Sequence, residues 1–321
     1  MDRIGVIIVN WNASGTILRA IESVLNEGIP HVSVIVVDNA STDGSCEIVA
    51  DLEPAVTLKA SDSNIGFPRA VNLAARDLDC RYILLLNPDA YLTPGCLSCM
   101  TQALDADDAV AAVGPRIVHP DGNLEPTCAR RDYSLLFLLF EILGLRRLFP
   151  TSRVFGGYRM EYWDHQDVRD VDSLSGACML VRSAAVPDSP LLDETLPMYF
   201  EDIDLCRRLR AEGWRIRFLG NAEAVHVGRL SSEQSPGKTR LAVMEQGDAV
   251  WLYFRRHRGS VQAALSAAMI GFGAVIRLAF RLFQRVVGIL PDSQSLQRET
   301  EKHIALLRWA IRPGKPHMTS L

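Results

Sequence analysis

Four short apolar runs, each ending in a cluster of Asn, Asp, Ser or Gly, constrain this chain more than any other feature. Ile4–Val9, Val32–Val37, Val56–Leu58 and Tyr82–Leu86 have strand length and no polar alternation, as strands buried on both faces do. Helical patterns lie between them. Thr16–Asn26 carries Ile17, Leu18, Ile21, Val24 and Leu25 on one face, and Gly44–Leu52 and Pro68–Asp77 repeat the period more briefly. Strand and helix alternating at this spacing predict an α/β fold with a mostly parallel sheet flanked by helices. Such sheets bind ligands beyond the carboxyl ends of their strands. Here those ends are Asn10-Trp11-Asn12, Asp38-Asn39-Ala40-Ser41-Thr42-Asp43, Ser63-Asn64-Ile65-Gly66-Phe67 and Asn87-Pro88-Asp89. One such cluster is an ordinary turn or helix cap. Four on one sheet edge predict a lined cleft.

The first turn is not Gly-x-Gly-x-x-Gly, and Gly-Lys-Ser/Thr occurs nowhere, so dinucleotide and P-loop readings lose their support. Asp89 follows a strand on a proline-set turn, which suits a ligand of Mg²⁺ or Mn²⁺ sharing a diphosphate with a substrate, or a cap for a helix near Pro94–Leu104. In Tyr199-Phe200-Glu201-Asp202-Ile203-Asp204 an aromatic pair leads into an acidic helix start. Asp202 shares a face with Leu205, Cys206 and Leu209, whereas Asp204 is expected towards solvent. Glu201 and Asp204 suit the helix dipole. An acid on the apolar side calls for another reason, and a general base is one. His226 lies on an alternating strand, Ala222–Gly228, after a further strand pattern at Gly213–Leu219; taken alone it reads as a structural histidine. Gly176 precedes an apolar strand and fits either a close approach of a ligand or a plain turn. Cys96-Leu97-Ser98-Cys99 has no second pair and reads as small residues on a helix.

Taken in order, Val9-Asn10-Trp11-Asn12, Val37–Asp43, Asn64–Phe67, Leu86–Asp89, Ser175–Leu180 and Phe200–Asp204 resemble the family 2 glycosyltransferases, in particular the bacterial rhamnosyltransferase-like branch. The resemblance covers about residues 4–230. It implies a GT-A fold, a nucleotide-diphosphate sugar donor, a divalent metal and inversion at the anomeric carbon. It implies nucleotide-sugar contacts at Val9, Asn10, Asn12, Asp38, Asn64, Gly66, Asn72, Asn87 and Gly176. Asp89 and His226 become metal ligands, Asp202 the base, and Glu201 a second catalytic candidate. Asn87 stands where the family's first metal-binding acid would be, which leaves less charge for an ion.

The last third differs in character. Residues 1–204 hold 15 Lys/Arg against 30 Asp/Glu, and residues 205–321 hold 19 against 8. The basic part is also apolar, which fits a membrane surface better than nucleic acid. Gly259–Ile276 is free of charge, and Arg277, Arg281 and Arg285 recur at i, i+4, i+8 opposite Leu282, Phe283 and Val286. That pattern predicts an amphipathic helix with a cationic face, used on lipid or in a homo-oligomer. Tyr133–Phe149 is a second apolar candidate. The expected domains are 1–230 (nucleotide-sugar part about 1–120, acceptor part about 121–230) and a helical region at 231–321. Seven Cys and a start without a leader pattern predict a cytoplasmic protein, peripheral at most on the inner membrane face. The expected partners are the donor and a saccharide or polyprenyl-linked acceptor in envelope polysaccharide assembly. Another hexose or amino-sugar donor, or a silent binding protein of the same fold, are the alternatives.

Overall fold

The computed structural model describes residues 2–187, 190–196, 199–228, 244–287 and 294–314. The 229–243 stretch, where the sequence places a domain boundary, lies outside them. The chain opens with β1 (Asp2–Asn10), α1 (Ile17–Leu25), β2 (Val32–Asp38), α2 (Ser45–Ala50), β3 (Thr57–Ala60), α3 (Phe67–Ala75) and β4 (Cys80–Leu86). There follow β5 (Ala90–Leu92), α4 (Cys96–Asp105), β6 (Val110–Val118), β7 (Ala129–Arg130), α5 (Leu135–Ile142) and α6 (Leu145–Leu148). Then come β8 (Arg169–Val171), β9 (Ser173–Leu174), β10 (Cys178–Arg182), α7 (Glu201–Ala211) and β11 (Arg215–His226). The chain ends in α8 (Val250–His257), α9 (Ser260–Val286) and α10 (Gln294–Ile311).

Two compact units divide these elements. The first comprises residues 1–132, 158–195 and 201–231, and the second 133–157, 196–200 and 232–321. The helical unit thus takes in α5 and α6 as well as the C-terminal helices.

In the first unit the main sheet runs β3-β2-β1-β4-β10-β6-β11-β5, with β8 on β11. β1, β2, β3 and β4 pair in parallel, and β11 is parallel to β6. Three members run the other way: β10 against both β4 and β6, and β5 and β8 against β11. An apolar run such as Cys178–Arg182 signals burial but not direction, so composition could not show this reversal. The two strand patterns near the end of the unit join into the single strand β11, with an irregular register between Leu219 and Glu223. Ile4, Ile7, Ile8, Ile17, Ile21, Leu84 and Leu85 are fully buried and make the centre of the core with α1. Each such side chain contributes about 1.5–3 kcal/mol by leaving water. Cys96 and Cys99 sit on α4 as free thiols, and burial pushes both up in pKa.

In the second unit α9 packs its small residues against its neighbours. Gly271 lies against Ala310 of α10, and Gly273 against Ile142 of α5. A Cβ at either glycine would come within 2.9 Å and 2.8 Å of those side chains, so larger residues would force the helices apart. Tyr133, Phe200, Tyr253 and Phe254 form an aromatic cluster with centroid separations of 5.2–6.4 Å.

Candidate active site

The level ends of β1 and β2 build the first part of the site. Asn10 pairs with Asp38 in the parallel register, and both side chains are buried. Asn10 Nδ2 donates to Asp38 Oδ1 at 2.6 Å and to Ser45 Oγ at 2.8 Å, and Asp38 Oδ2 accepts from the Ser41 amide at 3.0 Å. Asn10 Oδ1 is buried without a hydrogen-bond partner among the described residues, a costly state that a ligand donor would relieve. Asn12 locks the two loops together: its amide donates to Ser41 Oγ and its Oδ1 accepts from the Thr42 amide. Its φ of 53° is left-handed, which Asn tolerates better than most residues. Val9 pairs with Val37 and its side chain is in the core.

The loop after β3 is tied to the loop after β2 by the Ile65 amide, which donates to Asn39 Oδ1 at 2.8 Å. Asn64 Oδ1 accepts from the Gly66 amide, and Gly66 then opens α3 at φ 85°, ψ 156°. Only glycine adopts that conformation readily. Asn72 faces elsewhere. It is buried, its Nδ2 donates to the Leu192 carbonyl at 2.8 Å, and its Oδ1 accepts from the Leu192 amide at 2.9 Å. Its side chain clamps the 191–195 segment.

The turn after β4 meets the end of β11. The Val227 amide donates to the Asp89 carbonyl, and Ala90 pairs with His226. His226 Nε2 lies 3.2 Å from Asp89 Oδ1 and 3.4 Å from Asn87 Nδ2. On the other side of the ring, Nδ1 is 2.7 Å from Glu125 Oε2. Burial opposes a charge on His226, but hydrogen bonds and charge from Asp89 and Glu125 outweigh it and push its pKa up to about 10. Burial likewise raises Glu125, and His226 more than offsets it, leaving the carboxyl below its usual range. Glu125 escaped the sequence reading because a single Glu in an Asn-Leu-Glu-Pro turn carries no spacing signal.

The donor chemistry of this pair fits a divalent ion. Two ligands at right angles, each about 2.1 Å from an ion, lie about 3 Å apart, close to the separation of Asp89 Oδ1 and His226 Nε2. A carboxylate on Nδ1 that fixes ring orientation is the usual support of a metal-bound histidine. Among the described residues no three His, Cys, Asp or Glu side chains gather as a metal site. An ion here would have two protein ligands and take the rest from substrate and water, as Mg²⁺ commonly does.

Asp202, in the first turn of α7, is tied to the neighbouring strand β10. The Asn87 amide donates to the Ala177 carbonyl at 2.9 Å, and the Gly176 amide donates to Asp202 Oδ2 at 2.9 Å. The start of β10 therefore bridges the Asp89 turn and the Asp202 carboxylate. Oδ2 also takes a hydrogen bond of 2.7 Å from Arg130 on β7, and Oδ1 one of 2.7 Å from the Ile203 amide. The Arg130 guanidinium is buried, which opposes its charge, but Asp202 overcomes this and its pKa is raised. A Cβ on Gly176 would sit 3.3 Å from Asp202 Cβ, so glycine there permits the close contact.

Glu201 opens α7 and is half-buried, while Asp204 is fully buried. The solvent-facing position expected for Asp204 is thus corrected: Arg208, one turn on, accompanies it inward at 2.8 Å and compensates its charge. Arg207 and Arg210 fasten the same helix to Asp132 and Asp172. Just before α7, Tyr199 and Phe200 both have positive φ, 78° and 70°. Each such aromatic residue costs on the order of 1–3 kcal/mol, and strain of this kind gathers at functional sites.

Comparisons with known proteins bear on the family and the fold. The family model "Glycosyl transferase family 2" matches residues 5–163. An N-acetylglucosaminyl-diphospho-decaprenol L-rhamnosyltransferase of Mycobacterium tuberculosis is 28% identical over 281 residues, covering 84% of this chain and 90% of the relative. The mannosyltransferase PcManGT of Pyrobaculum calidifontis, solved with GDP-Man and Mn²⁺, superposes with a TM-score of 0.56 at 15% identity, over 96% of this chain and 86% of that one. GalNAc-T7, solved with UDP, GalNAc and Mn²⁺, gives a TM-score of 0.57 at 14% identity, over 79% of this chain but 48% of its own. At such identities the structural likeness speaks for the fold alone.

Proposed function

We propose that this chain, a GT-A-fold glycosyltransferase that belongs to glycosyl transferase family 2, moves rhamnose from dTDP-rhamnose to a lipid-linked saccharide, with inversion at the anomeric carbon. The observation that supports the reading is the Asp89–His226 contact at the ends of β4 and β11, next to the start of β10, whose Gly176 amide holds Asp202 of α7. The named activity of the mycobacterial relative, which aligns over most of both chains, supports the choice of donor and acceptor.

Asp89 and His226 would hold a divalent ion, which supplies positive charge against the departing diphosphate. Asn10, Asn12, Asp38, Asn64 and Gly66 shape the β1–β3 loops where the nucleotide would lie. Asp202 takes the proton from the acceptor hydroxyl. The hydroxyl oxygen then bonds to the anomeric carbon as the bond to the diphosphate breaks. Its Oδ1 holds one described hydrogen bond against two on Oδ2, so Oδ1 is the oxygen with room for that proton. Arg130 and the Gly176 amide fix the carboxylate in place, which matters more to a base than its intrinsic strength when the partner must be met within hydrogen-bond distance. Glu201, one residue away, remains the second acidic candidate.

The test is a donor screen with purified protein, scoring nucleoside diphosphate release with Mg²⁺ and Mn²⁺ in turn and a polyprenyl-diphosphate saccharide as acceptor. Release from dTDP-rhamnose well above that from other donors is expected. Asp202→Asn should abolish transfer while dTDP still binds. Normal transfer by that variant would overturn the base assignment, and release from a different donor alone would overturn the sugar.

A further inference from the structure

The structure changes the meaning of the arginines on α9. Arg277 donates to the Glu141 carbonyl of α5 at 3.3 Å, and burial, with Arg147 nearby, lowers its pKa. Arg281 pairs with Glu299 of α10 at 3.3 Å. Two of the three members of the expected cationic face thus serve packing inside the second unit, and only Arg285 is exposed. What α9 turns outward is apolar.

That outward face runs the length of the helix. Val261, Leu265 and Phe272 are exposed in its first half. In its second half Val275, Ile276, Phe280, Leu282, Phe283 and Val286 are exposed, with Phe280, Leu282 and Phe283 each about three-fifths open: 59%, 64% and 59%. At 100° per residue these last six span an arc of roughly 160°, along a helix about 40 Å long.

We propose that this face of α9 docks on an anionic lipid surface, the helix lying in the plane of the headgroups. Three observations favour lipid over a second copy of the chain. The arc is wider than the two-position seam of a helix pair, and Phe280 would stay in water outside such a seam. Residues 260–287 contain no Asp or Glu, and their one exposed charge is Arg285, so nothing on the face repels an anionic headgroup. The same unit exposes Leu136, Leu143, Leu148 and Phe149 on α5, α6 and their flanks, beside Arg146 and Arg147.

The helix is long and apolar enough to cross a bilayer, but its other side packs on α10. That helix carries Arg298, Glu299, Glu301, Lys302 and Arg308, which a crossing would carry into hydrocarbon at several kcal/mol each. Lying on the surface avoids that cost.

The experiment is co-sedimentation of the full chain with vesicles of phosphatidylcholine containing about one-third phosphatidylglycerol, read beside light-scattering mass in solution. Phe272→Glu, Phe280→Glu and Phe283→Glu combined should lower the vesicle partition coefficient by about a hundredfold or more, with an unchanged circular dichroism spectrum because all three positions face solvent. Arg285→Glu should weaken binding severalfold, and only at low salt, which serves as an independent readout if the triple variant folds poorly. Failure of the full chain to sediment with these vesicles overturns the proposal. So does a dimer that the triple variant converts to monomer while its vesicle binding stays unchanged. Neither result depends on which sugar is transferred.

Discussion

Removing the guanidinium that holds Asp202 is the sharpest perturbation of the site. Arg130→Met keeps most of the apolar volume and deletes the hydrogen bond to Asp202 Oδ2 and a second one to the Leu174 carbonyl. The two side chains are 9% and 14% exposed, so the carboxylate left behind is largely shielded from water. Taking one partner from a buried ion pair costs about 3–5 kcal/mol. The Gly176 and Ile203 amides still serve Asp202, which places the expected loss near 3 kcal/mol. Asp202→Asn should cost a similar amount, because it strands Arg130. The double variant should recover roughly 2 kcal/mol relative to the sum of the singles, since neither charge is then left unpaired. Urea unfolding of the four proteins, followed by a probe in the first unit and compared at a common slope, measures this coupling. A coupling below about 0.5 kcal/mol would refute the reasoning. It would mean that water reaches Asp202 freely and that Arg130 is not what positions it.

Other consequences of the geometry can be checked separately. Glu125→Gln keeps the shape but weakens the hold on His226 Nδ1, so the Mn²⁺ concentration that gives half-maximal thermal stabilisation should rise by about 10–100-fold. An unchanged midpoint would show that Glu125 does not support the ion. Asn72→Ala leaves the Leu192 amide and carbonyl without their side-chain partner and should lower stability by roughly 2–4 kcal/mol; a loss below about 0.5 kcal/mol would remove the clamp role. Gly176→Ala puts a methyl 3.3 Å from Asp202 Cβ. The expected outcome is a drop in kcat of about tenfold or more with the melting temperature nearly unchanged, and equal losses in both would point to general misfolding instead.

The parts of the fold that were legible in the sequence are those set by local rules. The four apolar runs became β1–β4 within a residue or two at their cores, because strand burial and the following turn residues are written side by side. The site was legible only in part. Asp89 and His226 lie 137 residues apart, and on its own spacing His226 read as a structural histidine; the family resemblance, not the residue pattern, paired them. Arg130 and Glu125 carry no periodic signal at all, since each acts through a single contact made across the fold. Asp204, Arg277 and Arg281 were misplaced for one shared reason. Helical periodicity assigns charges to water, but a partner one turn away or on a neighbouring helix lets them turn inward.

The reversed strand β10 also bears on how such a protein can change. The loops after β1, β2 and β3 are built entirely from the first 75 residues, whereas Gly176, Asp202 and Arg130 all come from residue 130 onwards. The two groups are joined by the ladder of Cys178–Arg182 against Tyr82–Leu86 and by the grip of Asn72 on Leu192. On the proposed roles, exchanging the segment before that ladder for one from a homologue would change the nucleotide loops, provided that the grip of residue 72 on Leu192 is kept. Sliding the ladder by two residues would instead carry Gly176 about 7 Å away from Asn87, so a recombination point within the ladder would part the Asp202 side of the site from the Asp89 turn.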